Sequence, residues 1–299
     1  MAMRTTLHFS GHETFALRYG WLKKVVDAFN EVEAEQAKTI FDPHKAIARF
    51  GVGKNMVVSM RHWGVSTGIL DAMGGGLYSV NDLGHFLFDD NGFDPYLEKL
   101  ETLWLIHWNL TKDITNKTTW YYLFNHFNAI VFDKDKIFYG LRKFVDQFGN
   151  RKITEKTLRS DIDCLINTYV PKRRKKGRVN EDTLESPLAE LGIIQETSQK
   201  GIFGFRIGDK KSLTDRLLSY TVKDFMDKAV PEGTASIERL AYDPISPGKV
   251  FKLDEKTLSD RIERIQRSKS APFDWTETAG LQRLAISNPN QESITYLKN

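Results

Sequence analysis

The chain has 299 residues and a mass of 34.4 kDa, which is enough for about two domains with buried cores. Its 40% hydrophobic, 12% aromatic and 27% charged residues exclude a collagen, a disordered tail and a disulfide scaffold. Cys164 is the single cysteine, which excludes an internal disulfide and indicates a reducing compartment. No apolar run reaches the roughly 18 residues of a membrane-spanning helix, and the N-terminus lacks the apolar core of a signal peptide. We therefore expect a cytoplasmic protein without a membrane partner.

The net charge of +4 is unevenly distributed along the chain. Residues 133–178 contain 14 Lys and Arg against 6 Asp and Glu, so the remainder of the chain is acidic. The most basic stretch reads KRRKKGR and contributes Lys172, Arg173, Arg174, Lys175, Lys176 and Arg178. Concentrated positive charge indicates a polyanionic partner, although a solvated loop has the same composition.

The first third of the chain has the element order of a winged helix-turn-helix. Residues 14–30 carry apolar side chains at three- and four-residue spacings, which predicts an amphipathic helix. Asp42 and Pro43 predict the start of a helix that ends at Gly51, and a second helix follows from Lys54. The triple glycine 74–76 and the run 77–80 predict a β wing, after which a helix restarts at 81–83.

In this interpretation the helix from Lys54 recognises DNA. Hydrogen-bond donors of the kind that contact phosphates and base edges follow its start, and the preceding helix adds one more: Lys54, Asn55, Ser59, Arg61 and Arg49. The alternative is that these are ordinary surface residues on a helix of a bundle.

Residues 118–230 repeat the order. An amphipathic helix over 136–148 precedes a helix from Thr154, whose opposite side carries Lys156, Arg159 and Asp163. The basic stretch follows directly, and then a short helix and two strand-like runs joined at 199–201 predict a second wing. DNA contacts are therefore predicted at Lys156, Arg159 and the six basic residues of 172–178.

The predicted fold is mainly α with small β wings. Tandem winged helix-turn-helix units would occupy 1–117, with the candidate active site, and 118–230, with the basic loop. Residues 231–299 would add a small helical extension, because they are too few for a core of their own. The aromatic residues of 96–127 recur at helical spacings and are interpreted as core rather than as base-stacking platforms.

A compact polar cluster lies near the N-terminus: His8, Gly11, His12 and Glu13. Histidine and glutamate together suit metal binding or acid–base chemistry. No zinc-protease spacing accompanies them, and on physical grounds Glu13 capping the following helix is the better explanation.

Five stretches resemble one bacterial family over nearly the whole chain. They are FSGHETFALRYGWLKK, ARFGVGKNMVVSMRHWGV, DPYLEKLETLWLIHWNL, SPLAELGII and AYDPISPGKVFKL. The family is that of SspB-type proteins, components of systems that replace a non-bridging oxygen of the DNA backbone with sulfur.

The resemblance implies a DNA-nicking endonuclease, a hydrolase, that assists phosphorothioation in antiviral defence. Its implied partners are double-stranded DNA, a cysteine desulfurase, an ATPase and a sulfur-transfer protein. The implied catalytic positions are His12, Glu13, Arg18 and Tyr19, with Lys54, Asn55 and Arg61 in the helix-turn-helix motif. If the nick depends on Mg²⁺ or Mn²⁺, Glu13 and His12 are the expected ligands.

Composition and spacing by themselves do not indicate nicking. Two other functions therefore stay open: a non-catalytic adaptor that recruits sulfur-transfer enzymes to DNA, and a winged-helix transcription regulator. Nicking of supercoiled plasmid distinguishes the enzyme from both.

Overall fold

The structure is a computed structural model and describes residues 6–149, 152–171, 186–267, 271, 273–278, 281–287 and 293–298. These residues are mainly helical and carry three small antiparallel sheets, which confirms the predicted fold class at this level. Whether the segments are winged units stays a prediction.

The helices of the described residues are mostly between two and four turns long. They are α1 Trp21–Asn30, α2 Pro43–Phe50, α3 Lys54–Ser66, α4 Asp82–Phe88, α5 Leu100–Thr111, α6 Thr118–Asn125, α7 Lys134–Gln147, α8 Glu155–Tyr169, α9 Asp215–Ala229, α10 Ile237–Tyr242, α11 Pro247–Phe251, α12 Glu255–Gln266 and α13 Thr295–Lys298. Short 3-10 helices lie at Ala34–Thr39 and Pro187–Leu191.

Local side chains set several helix starts, as the sequence predicted. The Asp42 carboxylate accepts the backbone N–H of His44 at 2.9 Å, and Gly51 ends α2 in the left-handed region with φ 65°. Thr154 caps α8 by accepting the N–H of Thr157 at 3.2 Å. These caps satisfy N–H groups that have no partner within the helix.

The helix expected over 14–30 begins only at Trp21. Thr14 and Gly20 both have positive φ, 67° and 74°, and a helix cannot continue through such residues. The apolar periodicity of 14–20 therefore belongs to a folded loop and not to a helix.

The strands pair within three sheets. They are β1 Leu70–Gly74, β2 Leu77–Val80, β3 Val131–Phe132, β4 Ile194–Glu196, β5 Phe203–Phe205, β6 Thr234–Ser236, β7 Phe273–Thr278 and β8 Leu281–Ile286. The two predicted hairpins are present as β1–β2 and β4–β5. The sheet β6–β8–β7 lies in the segment for which only helices were expected.

Two segments share one element order. Each runs helix, strand, helices and two strands, as α6–β3–α7–α8–β4–β5 and as α9–β6–α10–α11–α12–β7–β8. In both sheets the first strand lies beside the third, in the orders β3–β5–β4 and β6–β8–β7. In the first of these segments α8 is the last α-helix before the hairpin.

The chain divides into two compact units. Unit 1 holds the residues up to Leu123 together with Phe127–Gly204, and unit 2 holds Phe124–His126 with the residues from Phe205 onward. The predicted division at 117/118 and 230/231 differs from this one and stays a prediction about domains.

Most of the aromatic residues of 96–127 that were predicted as core are buried, and Trp104, Trp108 and Trp120 are each at most 1% exposed. Tyr96 is the exception, because its side chain is 66% exposed. Within the described part of the chain, no helix is long and apolar enough to cross a membrane.

Candidate functional site

The N-terminal motif forms a loop with an unusual backbone, which we call the HET loop (residues 10–14). Three non-glycine residues in it have left-handed backbone conformations: Ser10 at φ 63°, Glu13 at 48° and Thr14 at 67°. Such conformations cost about 1–2 kcal/mol per residue. The loop therefore needs partners outside itself to keep this shape.

Asp161 of α8 supplies those partners. Its Oδ1 accepts the backbone N–H of Ser10 at 2.8 Å and faces His12 Nε2 at 2.8 Å. Its Oδ2 accepts the hydroxyl of Thr119, on α6, at 3.0 Å. One buried carboxylate thus joins the loop to two helices.

The His12 ring uses both of its nitrogens. Its Nδ1 accepts the backbone N–H of Thr14 at 3.0 Å, so the proton of the neutral ring lies on Nε2 and is donated to Asp161. Both side chains are 1% exposed. Burial alone would raise the pKa of Asp161, but the hydrogen bond from His12 and the charge of Lys117 outweigh it, so the pKa lies below its usual range.

A buried cation lies beside this pair. The Lys117 ammonium sits 4.1 Å from the ring centre of Trp120 and 4.9 Å from that of Trp63, and it has no hydrogen-bond partner among the described residues. Burial lowers the pKa of Lys117, against the effect of Asp161. Burial and then the charge of Lys117 lower the pKa of His62 far below its ordinary value, so the His62 ring is neutral.

An open groove with a volume of about 850 Å³ runs along the exposed side of α8. We call it the α8 groove; it is lined by Thr14, Lys134, Glu155, Lys156, Arg159, Ser160, Asp163, Cys164 and Asn167. Thr14 is the C-terminal residue of the HET loop, so the loop forms part of the groove wall. The loop and the exposed face of α8 therefore belong to one site.

Exposed ion pairs hold two of the basic side chains in the groove. Lys134 pairs with Asp163 at 2.6 Å, and Arg159 pairs with Glu155 at 2.6 Å and with Asp135 at 2.7 Å. Such exposed pairs contribute little net energy in water, so the carboxylates hold these basic side chains only weakly. Lys156 is exposed and has no ion pair with a described residue.

The four predicted catalytic residues do not converge. His12 points into the core, whereas Glu13 is exposed beside the groove. The Arg18 guanidinium lies over the rings of Phe15 and Trp21 at 5.3 and 5.5 Å. The Tyr19 hydroxyl is exposed and donates to the carboxylate of Glu190.

The predicted contacts on the first helix pair differ in exposure. Arg49, Lys54 and Asn55 are exposed. Ser59 is fully buried, so the expectation that it faces solvent is wrong; α3 packs against α1, α2 and β1, and much of its surface is therefore covered. The Arg61 guanidinium lies 5.8 Å from the ring centre of Tyr78, on the hairpin.

The strongest predicted DNA segment lies outside the described residues. Lys172, Arg173, Arg174, Lys175, Lys176 and Arg178 all belong to it. It follows Pro171, two residues after the end of α8.

The predicted metal pair does not fit an ion in this arrangement. A histidine ligand needs a free ring nitrogen, and both nitrogens of His12 are engaged. Within the described residues no group of three or more His, Cys, Asp or Glu side chains is placed to hold a metal.

The sequence interpretation missed Asp161 and Lys117. Asp161 lies on the apolar stripe of α8, between Leu158 and Leu165, where all neighbours are buried. A carboxylate on a core-facing stripe signals a buried partner, because an unpaired charge there is costly. That signal was available from the spacing alone.

Comparison with known proteins gives the family. A family profile described as "Protein of unknown function (DUF4007)" matches residues 9–299, so the chain belongs to this family. No curated protein matches it.

Two solved structures are similar over the whole chain. The magnesium ion-bound crystal structure of SspB has 28% sequence identity and a TM-score of 0.86, covering 99% of this chain and 89% of that one. A second SspB crystal structure has 28% identity and a TM-score of 0.85, covering 100% and 89%. The predicted resemblance to SspB-type proteins is therefore confirmed.

Proposed function

We propose that this protein binds duplex DNA along α8 and nicks it, as a component of a DNA-phosphorothioation system. The observation that carries the proposal is the full-length likeness to SspB at 28% identity. The resemblance also implies the system's sulfur-transfer protein, ATPase and cysteine desulfurase as partners, a cytoplasmic location and a role in antiviral defence. These are parts of the same proposal.

The DNA contact is assigned to α8 because of its place in the element order. A winged helix inserts into DNA the last helix before its hairpin, and α8 has that place between β3 and β4–β5. Its exposed side offers Lys156 and Arg159, and Lys134 lies across the groove. The six charges of 172–178 follow α8 along the chain and would extend the contact to further phosphates.

The nick needs a base for water and positive charge near the phosphate. Glu13 is the exposed carboxylate next to Thr14 in the groove wall. In the proposed step a water oxygen bonds to phosphorus, Glu13 takes the water proton, the bond from phosphorus to one sugar oxygen breaks, and that oxygen takes up a proton from solvent water. Lys156 would stabilise the charge on the phosphate.

A similar SspB binds a magnesium ion. Because His12 has no free nitrogen here, the His12–Glu13 pair is not proposed as a metal site, and the step above does not pass through an ion. Testing Mg²⁺ and Mn²⁺ in the nicking assay decides whether the reaction uses one.

The test is the conversion of supercoiled plasmid to open circles by the purified protein, with each metal and with chelator. We expect open circles from the wild type. For Glu13→Gln, which removes the base but keeps the shape of the side chain, we expect a nicking rate that is lower by about a hundredfold or more. The matched control is Glu98→Gln, an exposed carboxylate far from the loop in sequence. DNA binding without open circles under any condition would favour the adaptor.

A covalent route gives a different result. If the Tyr19 hydroxyl attacks the phosphate, the protein remains attached to one DNA end, and Tyr19→Phe stops the reaction. A denaturing gel with labelled plasmid separates this outcome from hydrolysis.

A further inference from the structure

We propose that Asp161 is a positioning residue, which through His12 holds the HET loop against α8 and fixes Thr14 in the wall of the α8 groove with Glu13 beside it. The consequence for nicking rests on the proposed function. The positioning itself does not, because it concerns contacts within unit 1.

The first argument is that both ends of the loop depend on one carboxylate. Ser10 is tied to Asp161 directly, by its N–H, and Thr14 is tied indirectly, by its N–H to His12 Nδ1. The His12 ring spans the gap between them because its Nε2–H reaches Asp161. Between these two anchors the backbone passes through the left-handed conformations of Ser10, Gly11 and Glu13.

The second argument concerns why the pair is polar at all. A buried carboxylate is costly unless its oxygens are paired, and Asp161 has the Ser10 N–H, the His12 ring and the Thr119 hydroxyl as partners. An apolar residue at 161 would leave the Thr119 hydroxyl and the charge of Lys117 without the carboxylate, and it has no oxygen for Ser10 or His12. Two of the three hydrogen bonds go to the loop, so the carboxylate secures the position of the loop as well as the packing of α6 on α8.

The third argument is that the surroundings select this one geometry. Gly11 lies against the ring of His62, where a Cβ would meet Nδ1 at 2.6 Å, so no larger residue fits there. The His12 ring lies edge-on to His62, with centroids 6.1 Å apart, and near Trp120 at 6.5 Å. With its ring enclosed in this way, His12 has one orientation in which to join Thr14 and Asp161.

The experiment compares four variants by residue-resolved amide exchange in NMR and by nicking under saturating DNA. Asp161→Leu removes the acceptor, and Asp161→Asn keeps one oxygen for Ser10 and His12. His12→Leu removes the link to Thr14 and the hydrogen bond from His12 to Asp161, but it leaves the bond from the Ser10 N–H to Asp161 in place. Asp163→Leu is the matched control for the exchange measurement alone, because Asp163 lies on the exposed side of the same helix but also lines the α8 groove.

For Asp161→Leu we expect the amides of Ser10 and Thr14 to exchange at least tenfold faster, while the amides of α8 keep their protection. The nicking rate should fall tenfold or more, with the DNA Kd changed by less than about twofold. Asp161→Asn should restore most of the amide protection and most of the nicking rate. Asp163→Leu should leave the exchange of the loop amides as in the wild type.

His12→Leu tests the anchor at Thr14 separately from the anchor at Ser10. It also keeps the inference testable if Asp161→Leu does not fold. Thr14 should then exchange faster and Ser10 should not, because Asp161 still accepts the Ser10 N–H. Folded Asp161→Leu with unchanged exchange at Ser10 and Thr14 would overturn the inference, whatever the nicking result. A wild type that never nicks would overturn the proposed reaction, and the exchange data would still decide the positioning.

Discussion

Helices α3 and α8 each precede a β-hairpin, but they differ in how far their polar side chains are exposed and hydrogen-bonded. On α3 only the first turn, with Lys54 and Asn55, is exposed, while Ser59 is buried without a hydrogen-bond partner among the described residues. On α8 an exposed side lines an open groove, and the buried Asp161 is fully partnered. A donor-rich helix after a glycine turn is therefore not sufficient to identify the helix that faces DNA.

The two helices nevertheless meet in one site. His62, on α3, encloses the HET loop from one side, and Asp161, on α8, holds it from the other. Under the proposed function, α3 has a supporting role and α8 contacts DNA. The following predictions test that assignment, from the largest expected effect to the smallest.

The basic segment after α8 should dominate affinity. If about six phosphates are neutralised, wild-type affinity falls on the order of a thousandfold between about 50 and 200 mM salt. Replacing the six basic residues of 172–178 with alanine should flatten that dependence, as measured by fluorescence anisotropy with labelled duplex. The control replaces exposed basic residues of unit 2, Lys211, Lys256 and Arg267, and should leave the slope unchanged. If the salt dependence of affinity is unaltered in the 172–178 variant, this segment does not contact DNA.

Single lysines on α3 and α8 should differ in how much they contribute to DNA affinity. Lys156→Ala should weaken DNA binding by about tenfold and lower the salt slope by about one, as expected for one lost phosphate contact. Lys54→Ala should change affinity by less than about twofold. The reverse ranking in the same anisotropy titration would make α3 the helix that faces DNA.

The half-buried ring of His62 should make stability depend on pH. Its pKa is lowered in the folded protein, chiefly by burial, so below about pH 6.5 the unfolded chain takes up a proton that the folded protein does not. Stability is therefore lost as the pH falls, by up to about 1.4 kcal/mol per pH unit for this one group.

The measurement is urea unfolding followed by tryptophan fluorescence at pH 5 and pH 7. His62→Gln should reduce the difference between the free energies of unfolding at pH 5 and pH 7. His44→Gln, at an exposed position of α2, is the control and should not. Equal pH dependence in all three proteins would show that the His62 ring accepts a proton in the folded state.

The smallest effect is expected at Ser59. Its buried hydroxyl has no hydrogen-bond partner among the described residues, so Ser59→Ala should raise the free energy of unfolding by about 1 kcal/mol or leave it unchanged. DNA affinity should stay at the wild-type value. A clear loss of DNA affinity in the folded variant would show that Ser59 contributes to DNA binding.

The sequence by itself determined the elements whose signals are local. Helix starts at Asp42 and Thr154 and the turns of the hairpins at 74–76 and 199–201 follow from residues a few positions apart, and all are present. Family resemblance, carried by five motifs, identified the SspB type. The two-residue strand β3 and the sheet of unit 2 gave no periodic signal, because such short strands are defined by the partner they pair with.

The tertiary structure alone decided the candidate site. His12 and Glu13 are neighbours in sequence, and the motif suggested that they act together, but the left-handed backbone at Glu13 sends one side chain into the core and leaves the other in solvent. The partner of His12 lies 149 residues away, at Asp161. Spacing along the chain reports contacts within a helix or a turn, whereas a buried polar side chain is stabilised by whichever distant group satisfies its hydrogen bonds, and only the packed fold brings the two together.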